Sequence, residues 1–129
     1  MTSGTSRKTA RRQALFLLYQ WDLTGQELAS LFEGEPDDFA RSLAEAVAAR
    51  APALDARISA SSPDWPADRL GTLERNILRI GVYELEEETV PREVAINEAV
   101  VLAKRYATED AGRLVNGILA RVAREEEAA

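Results

Sequence analysis

A chain of 129 residues, 46% of them hydrophobic, is long enough for one domain with one core. It contains no cysteine and no histidine, so disulfides, the common zinc sites and histidine-based catalysis are excluded. The net charge is −6, yet residues 1–24 hold four cations and one carboxylate, a balance of +3 that leaves −9 for the rest. A basic end on an acidic chain concentrates the attraction for a polyanion in one place.

The sequence also lacks the signals that would direct it to a membrane. No run approaches the roughly 20 apolar residues of a membrane span, and the polar residues 1–6 lack the apolar segment of a secretory signal. We therefore expect a cytoplasmic protein without a membrane segment. Because the usual neutral-pH base is missing, we also expect no enzymatic activity, no cofactor and no metal.

The first predicted helix begins near the N-terminus. Ser6 or Thr5 can cap a helix that runs to about Leu23, and Thr24-Gly25 ends it. Its second half is apolar nearly all round, which is typical of a helix at the centre of a bundle. A short helix is expected next, over 26–32.

After a turn at 34–37, the chain predicts further helices joined by short loops. Apolar residues recur at helical spacing from Phe39 onward, with a bend or break at Pro52, as far as a polar loop at 59–66. The helices that follow are expected over 68–87, over 94–107 and from the cap at Thr108 onward. The sequence therefore predicts an all-α fold, one compact domain of six or seven helices over 1–129 with flexible ends at 1–6 and 125–129.

Three asparagines and two glycines lie inside predicted helices. Asn76, Asn97 and Asn116 are expected to be buried and to form hydrogen bonds between helices. Glycine inside a helix costs about 1 kcal/mol relative to alanine. Gly81 and Gly117 are therefore expected where two helices approach closely.

The candidate binding residues lie at the start of the first helix. Arg7, Lys8, Arg11 and Arg12 fall within one arc of about 140° around the helix axis. Tyr19 lies two turns along on the same face as Lys8 and Arg12. Cations followed by an aromatic ring can hold phosphates and stack an unpaired base. A solvated helix start with a half-buried tyrosine explains the same pattern, so these residues alone predict no more than binding to a polyanion.

Four segments across the chain together match one known family. They are RRQALFLLYQW at 11–21, ERNILRIGVYEL at 74–85, VPREVAINEA at 90–99 and VNGIL at 115–119. In this order, and spread over almost the whole chain, they resemble NusB, a family of bacterial transcription antitermination factors. The VAINEAV and VNGIL segments are specific, whereas the basic start alone is a weak signal.

The resemblance implies an all-α fold of two packed helical bundles and no enzymatic activity. It implies binding to the single-stranded boxA element of ribosomal RNA leaders. It also implies a protein partner, NusE, which is a small-subunit ribosomal protein, and an antitermination complex on RNA polymerase.

The resemblance also assigns residues by position. It assigns the four basic residues and Tyr19 to RNA contact, places Asp110 and the following turn against RNA, and places Glu74 on the NusE side. Where the family can present an aromatic residue before VNG, this chain has Leu114, so base stacking should be weaker there. Arg113 beside it can contact a phosphate. A peripheral core leucine next to a solvated arginine is the alternative.

Two other functions compete with RNA binding by these residues. If the four basic residues each neutralise one phosphate of single-stranded RNA, log K should fall with log salt at a slope of roughly −3. The first rival is a helical adaptor or homodimer that binds only protein, with its basic start against an acidic surface, and gel filtration with and without RNA would separate it from RNA binding. NusB-like domains also occur fused to RNA methyltransferases, but these 129 residues contain no glycine-rich cofactor-binding segment.

Overall fold

The computed structural model describes residues 6–32, 34 and 37–128, and all the regular structure in them is helical. The α-helices are, in chain order, α1 (Arg7–Thr24), α2 (Asp38–Ala49), α3 (Ala51–Ala60), α4 (Thr72–Glu87), α5 (Arg92–Tyr106) and α6 (Glu109–Ala128). Short 3-10 helices at Leu28–Leu31 and Ala67–Arg69 lie in two of the connections. The predicted all-α fold is confirmed, although the helix expected over 26–32 is only a 3-10 turn.

The ends of α1 follow from their capping residues. Ser6 is the N-cap, and its hydroxyl oxygen accepts a hydrogen bond from the backbone N–H of Thr9 at 3.1 Å. Gly25 ends the helix in the left-handed region, with φ 74°, and its N–H donates to the carbonyl of Trp21. Both ends agree with the prediction. Of residues 1–6, which were predicted to be flexible, Ser6 is the cap described above and residues 1–5 lie outside the described part of the chain.

α2 and α3 are separate helices because the chain breaks at Arg50. Asp37 caps α2 by accepting hydrogen bonds from the N–H groups of Phe39 at 2.9 Å and Ala40 at 3.1 Å. Arg50 leaves the helical conformation, with φ −108° and ψ 10°. Pro52 then lies in the first turn of α3, where its missing N–H is not needed. The interruption predicted at Pro52 is confirmed.

α4 is the central helix of the fold. Every residue from Asn76 to Val82 is buried, so this part of α4 is covered on all sides. It packs against α1, α2 and α3 in one bundle and against α5 and α6 in the other. The core therefore runs continuously through both bundles. This arrangement confirms the two packed bundles that the family resemblance implied.

The two glycines within helices differ in their surroundings. A Cβ atom on Gly81 would lie 2.6 Å from Cδ1 of Leu119, so α4 and α6 approach closely at this position, as predicted. Gly117 is exposed, and open space lies where its Cβ would be. The prediction was wrong for Gly117 because this residue lies on the outer face of α6.

The three asparagines divide in the same way. Asn76 is buried and its side-chain amide donates to Asp22 at 3.0 Å, which confirms the predicted hydrogen bond between helices. Asn97 and Asn116 are exposed, so the prediction of burial was wrong for both. Apolar neighbours surround them in the sequence, but both lie on outer faces, on α5 and α6 respectively.

The end of α6 is held against α3. Residues 125–129 were predicted to be flexible, but α6 continues to Ala128. The hydroxyl of Ser61 donates to Glu125 at 2.7 Å, and Arg57 forms an ion pair with Glu126 at 2.9 Å. These partners lie far away in the sequence, so a run of three glutamates gave no sign of them.

Candidate nucleic-acid interface

The N-terminal end of α1 brings three of the four predicted cations to the surface. Arg7 is exposed, and its guanidinium carbon lies 4.2 Å from the centre of the Phe39 ring. The side chain of Lys8 is 71% exposed, and its Nζ lies 3.0 Å from Oε2 of Glu98 on α5. Arg12 is half-buried and has no hydrogen bond or ion pair among the residues that the structure describes. The first turn of α1 contains no acidic residue, so the helix dipole adds to the positive potential.

Arg11 is the exception, because its guanidinium lies inside the protein. The residue is only 3% exposed, and its Nε and Nη2 donate to the carboxylate of Glu84 on α4 at 2.9 and 3.0 Å. Glu98 lies 3.8 Å from its Nη1. A bidentate pair of this kind joins α1 to α4 and uses the Nε and Nη2 donors of Arg11. The structure therefore places Arg11 inside the fold, as a link between two helices, and not on the surface with the other three cations.

Tyr19 lies beside the surface cations on the same helix. It follows Arg12 by seven residues, which places the two side chains about two turns apart on the same side of α1. The ring is half-buried, and its hydroxyl has no hydrogen bond within the described ranges. Tyr19 can therefore offer both a ring edge and a free hydroxyl to a ligand.

The residues predicted on α6 lie in its first two turns. Thr108 caps this helix by accepting a hydrogen bond from the N–H of Ala111 at 2.9 Å. Asp110 and Arg113 are exposed and form an ion pair with each other. Leu114 is half-buried and packs against the core, so only part of its side chain is available to a ligand.

An aromatic contact lies beside these residues, between α1 and α5. The rings of Phe16 and Tyr106 meet edge to face, with centroids 5.1 Å apart and an interplanar angle of 79°. Arg105 adds its guanidinium carbon 5.4 Å from the centre of the Tyr106 ring. Tyr106 and Arg105 are not among the residues predicted from the sequence. Their only sequence signal is the spacing that places Phe16 one turn after Arg12, and the pairing with Tyr106 needs the tertiary structure.

Glu74 lies far from the basic end of α1. It is in the first turn of α4 and is half-buried. Ten residues separate it from Glu84, the partner of Arg11, which corresponds to about 15 Å along the helix. Its neighbour Arg75 pairs with Asp22, near the C-terminal end of α1, at 2.9 Å. Glu74 and the predicted basic residues of α1 therefore lie at opposite ends of the contact between α1 and α4.

A second polar cluster joins α1, α3 and α4 at this far end. Asp22 accepts hydrogen bonds from Arg75, Asn76 and Arg79, each at 3.0 Å. Arg79 also donates to both carboxylate oxygens of Asp55 at 2.7 Å. Burial opposes ionisation of Asp22, but the hydrogen bonds from Arg75 and Asn76 and the charge of Arg79 hold the pKa of its carboxyl below the ordinary value of 3.8.

The described residues contain no group of acidic side chains arranged to hold a metal ion. None of the described helices is long and apolar enough to cross a membrane. What the surface between α1, α5 and the start of α6 offers is a set of cations, a partly exposed tyrosine and an aromatic pair. This combination can bind a ligand with negative charge and flat rings.

Comparison with known proteins identifies the family. The model of the NusB family matches residues 8–124 of the chain. A transcription antitermination protein NusB from Rubrobacter xylanophilus is 42% identical over 121 residues, which cover 88% of this chain and 87% of the relative.

Solved structures show the same fold. NusB from T. maritima superposes with a TM-score of 0.84 at 32% identity, covering 95% of this chain and 94% of that one. A chain in the crystal structure of the antitermination factors NusB and NusE in complex with dsRNA superposes with a TM-score of 0.82 at 32% identity, covering 92% and 96%. The chain therefore belongs to the NusB family of transcription antitermination proteins, and it is not an enzyme.

Proposed function

We propose that this protein binds the single-stranded boxA element of ribosomal RNA leaders together with NusE. It would act within an antitermination complex on RNA polymerase, in the bacterial cytoplasm. The observation that carries the proposal is the group of surface cations Arg7, Lys8 and Arg12 on a chain with a net charge of −6. The similarity to a chain from the complex of NusB, NusE and dsRNA supports both an RNA and a protein partner.

The electrostatic part of binding rests on three cations. Because Arg11 is buried and paired with Glu84, we expect it to make no phosphate contact, which lowers the expected number of neutralised phosphates from four to three. For single-stranded RNA this predicts that log K falls with log salt at a slope of roughly −2. The acidic remainder of the surface repels RNA and so confines it to the end of α1.

The preference for unpaired RNA rests on the aromatic residue beside the cations. Proteins recognise double-stranded RNA mostly by phosphate and 2′-hydroxyl contacts, whereas unpaired bases can stack on aromatic rings. The half-buried Tyr19, on the same side of α1 as Arg12, is placed for such a contact. Asp110 and Arg113 would border the RNA, where Arg113 can exchange its pairing with Asp110 for a phosphate.

The binding site for NusE is proposed at Glu74, at the first turn of α4. This region lies at the opposite end of α1 from the surface cations, next to the cluster around Asp22. RNA and NusE could therefore bind at the same time without competing for the same residues.

The test is RNA binding measured by fluorescence anisotropy with labelled boxA RNA, scrambled RNA and a duplex of equal length, each with and without NusE. We expect boxA to bind most tightly, NusE to increase its affinity, and the salt slope to be about −2. Tyr19→Ala should weaken binding to boxA more than to scrambled RNA. Equal affinities for boxA and scrambled RNA would refute the boxA assignment, and a slope near zero would refute the electrostatic mechanism.

The rival function, a protein-only adaptor or homodimer, is tested by gel filtration with and without boxA RNA. If a homodimer covers the basic surface, RNA should shift the protein to a smaller complex. A dimer that persists unchanged and fails to bind RNA would favour the rival.

A further inference from the structure

Side chains of α1 and α5 meet along a seam between the two helices. Both helices pack on α4. Lys8 meets Glu98 at the start of the seam, and Phe16 meets Tyr106 eight residues further along each helix. The two helices therefore run in the same direction, and about 12 Å separates the two contacts along the seam.

The far end of this seam exposes rings that the fold does not cover. Phe16 is 42% exposed, although large aromatic side chains are usually buried. Its edge-to-face partner Tyr106 is half-buried. Arg105 is exposed above Tyr106 and has no acidic partner in the described ranges of the chain.

The same seam connects the two groups of residues assigned to RNA. Arg12 lies one helical turn before Phe16 on α1. Tyr106 is the last residue of α5, and α6, which carries Asp110 and Arg113, begins at Glu109. The aromatic pair thus lies between the surface cations of α1 and the start of α6.

We propose that Phe16, Tyr106 and Arg105 form a base-stacking site that receives an unpaired base of the RNA whose phosphates Lys8 and Arg12 hold. The inference rests on the proposed RNA-binding function and adds where base contact occurs. An exposed ring beside an unpaired arginine is the usual platform for a base in single-strand binding proteins.

Charge selects RNA over a protein as the occupant of the seam. Arg12 and Arg105 flank the rings without ion-pair partners among the described residues. Glu98 lies at the start of the seam and is engaged by Lys8 at 3.0 Å and by Arg11 at 3.8 Å. The occupant therefore meets positive charge and an apolar ring together, which suits a nucleotide.

The test compares Phe16→Leu with Trp65→Leu in the full chain. Both residues are exposed aromatics, 42% and 52%, but Trp65 lies in the connection between α3 and α4, outside the seam. Phe16→Leu should weaken binding to fluorescein-labelled boxA RNA by about tenfold and leave the salt slope unchanged, because it removes no charge. Trp65→Leu should leave the affinity unchanged.

A second measurement locates the stacked base. A series of boxA RNAs, each with one abasic position, should show one position where the wild-type protein loses about tenfold in affinity. For Phe16→Leu, removing the base at that position should cause little further loss of affinity, because the ring and the base contribute as one pair. Arg105→Gln should weaken the contact with the base at the same position.

Three results would overturn the stacking site. The first is equal RNA affinity of Phe16→Leu and wild type while Arg12→Gln binds more weakly, which leaves the proposed RNA function intact. The second is a change in elution volume of Phe16→Leu on gel filtration without a change in RNA affinity, which would assign the rings to self-association. The third is a wild-type protein that does not bind boxA RNA, which would remove the proposed function as well.

Discussion

The two ends of α1 hold charged residues in different ways. At its C-terminal end, Asp22 is enclosed by three donors from α4. At its N-terminal end, Arg12 has no polar partner in the described structure, while its neighbour Arg11 is buried and pairs with Glu84 and Glu98. Charges with several protein partners hold the helices together, whereas cations without them remain available to a ligand. The boundary between the two roles falls between adjacent residues.

The largest expected effect is the difference in stability between substitutions at Arg11 and Arg12. Arg11→Gln leaves Glu84 buried without its cation, so the free energy of unfolding should fall by about 3–5 kcal/mol. Arg12→Gln, the matched control, should change it by less than about 0.5 kcal/mol. Urea denaturation followed by circular dichroism measures both. Similar values for the two variants would show that burial does not separate their roles.

A smaller effect is expected at the other end of α1. Asp22→Asn keeps the side-chain volume but removes the carboxylate that accepts from Arg75 and Arg79, so unfolding should become easier by about 2 kcal/mol at pH 7. The pKa of Asp22 is lowered in the folded protein. Its stabilising contribution is therefore complete above the unfolded value of 3.8 and is lost as the pH falls through the lower folded value.

The pH dependence of stability provides a separate test of the effect predicted for Asp22→Asn. The difference in unfolding free energy between wild type and Asp22→Asn should be constant from pH 7 down to about pH 5 and should shrink below about pH 4. A difference that grows as the pH falls would contradict the role given to the cluster.

Alanine substitutions at Gly81 and Gly117 compare an enclosed position with an open one, and each should change the free energy of unfolding by about 1 kcal/mol. Gly81→Ala places a methyl group 2.6 Å from Leu119 and should destabilise the fold by roughly 1 kcal/mol, because overpacking outweighs the gain in helix propensity. Gly117→Ala meets open space and should stabilise it by about 0.5–1 kcal/mol. Thermal unfolding compares the pair, and equal signs would contradict the packing described.

The smallest expected effect concerns RNA alone. Arg12→Gln should reduce the steepness of the salt slope by about 0.7 and leave thermal stability unchanged. The wild-type and variant proteins can be titrated with labelled boxA RNA at several salt concentrations. An unchanged slope would show that Arg12 does not contact phosphate.

Much of the fold could be predicted because local chemistry determines helix ends. The limits of α1 and the break before α3 could be predicted because they depend on the local conformational preferences of Ser6, Gly25 and Pro52. The spacing of the sequence also indicates that Arg11 faces the core. Leu15 and Leu18, four and seven residues later, lie on the same side of the helix and are buried.

The rest depended on contacts between distant parts of the chain. Glu84 lies 73 residues from Arg11, so no periodic pattern could reveal the ion pair. The same holds for Phe16 and Tyr106, whose contact follows from the parallel course of α1 and α5. A helical wheel shows which residues share a face but not which neighbouring helix covers it.

The buried pair between Arg11 and Glu84 has a consequence for how this protein can evolve. A lone change at either position would leave an unneutralised charge inside the molecule. Positions 11 and 84 are therefore expected to covary among relatives, either kept as a pair or replaced together by apolar residues. Position 12 has no ion-pair partner in the described structure, so it is expected to vary independently of position 84.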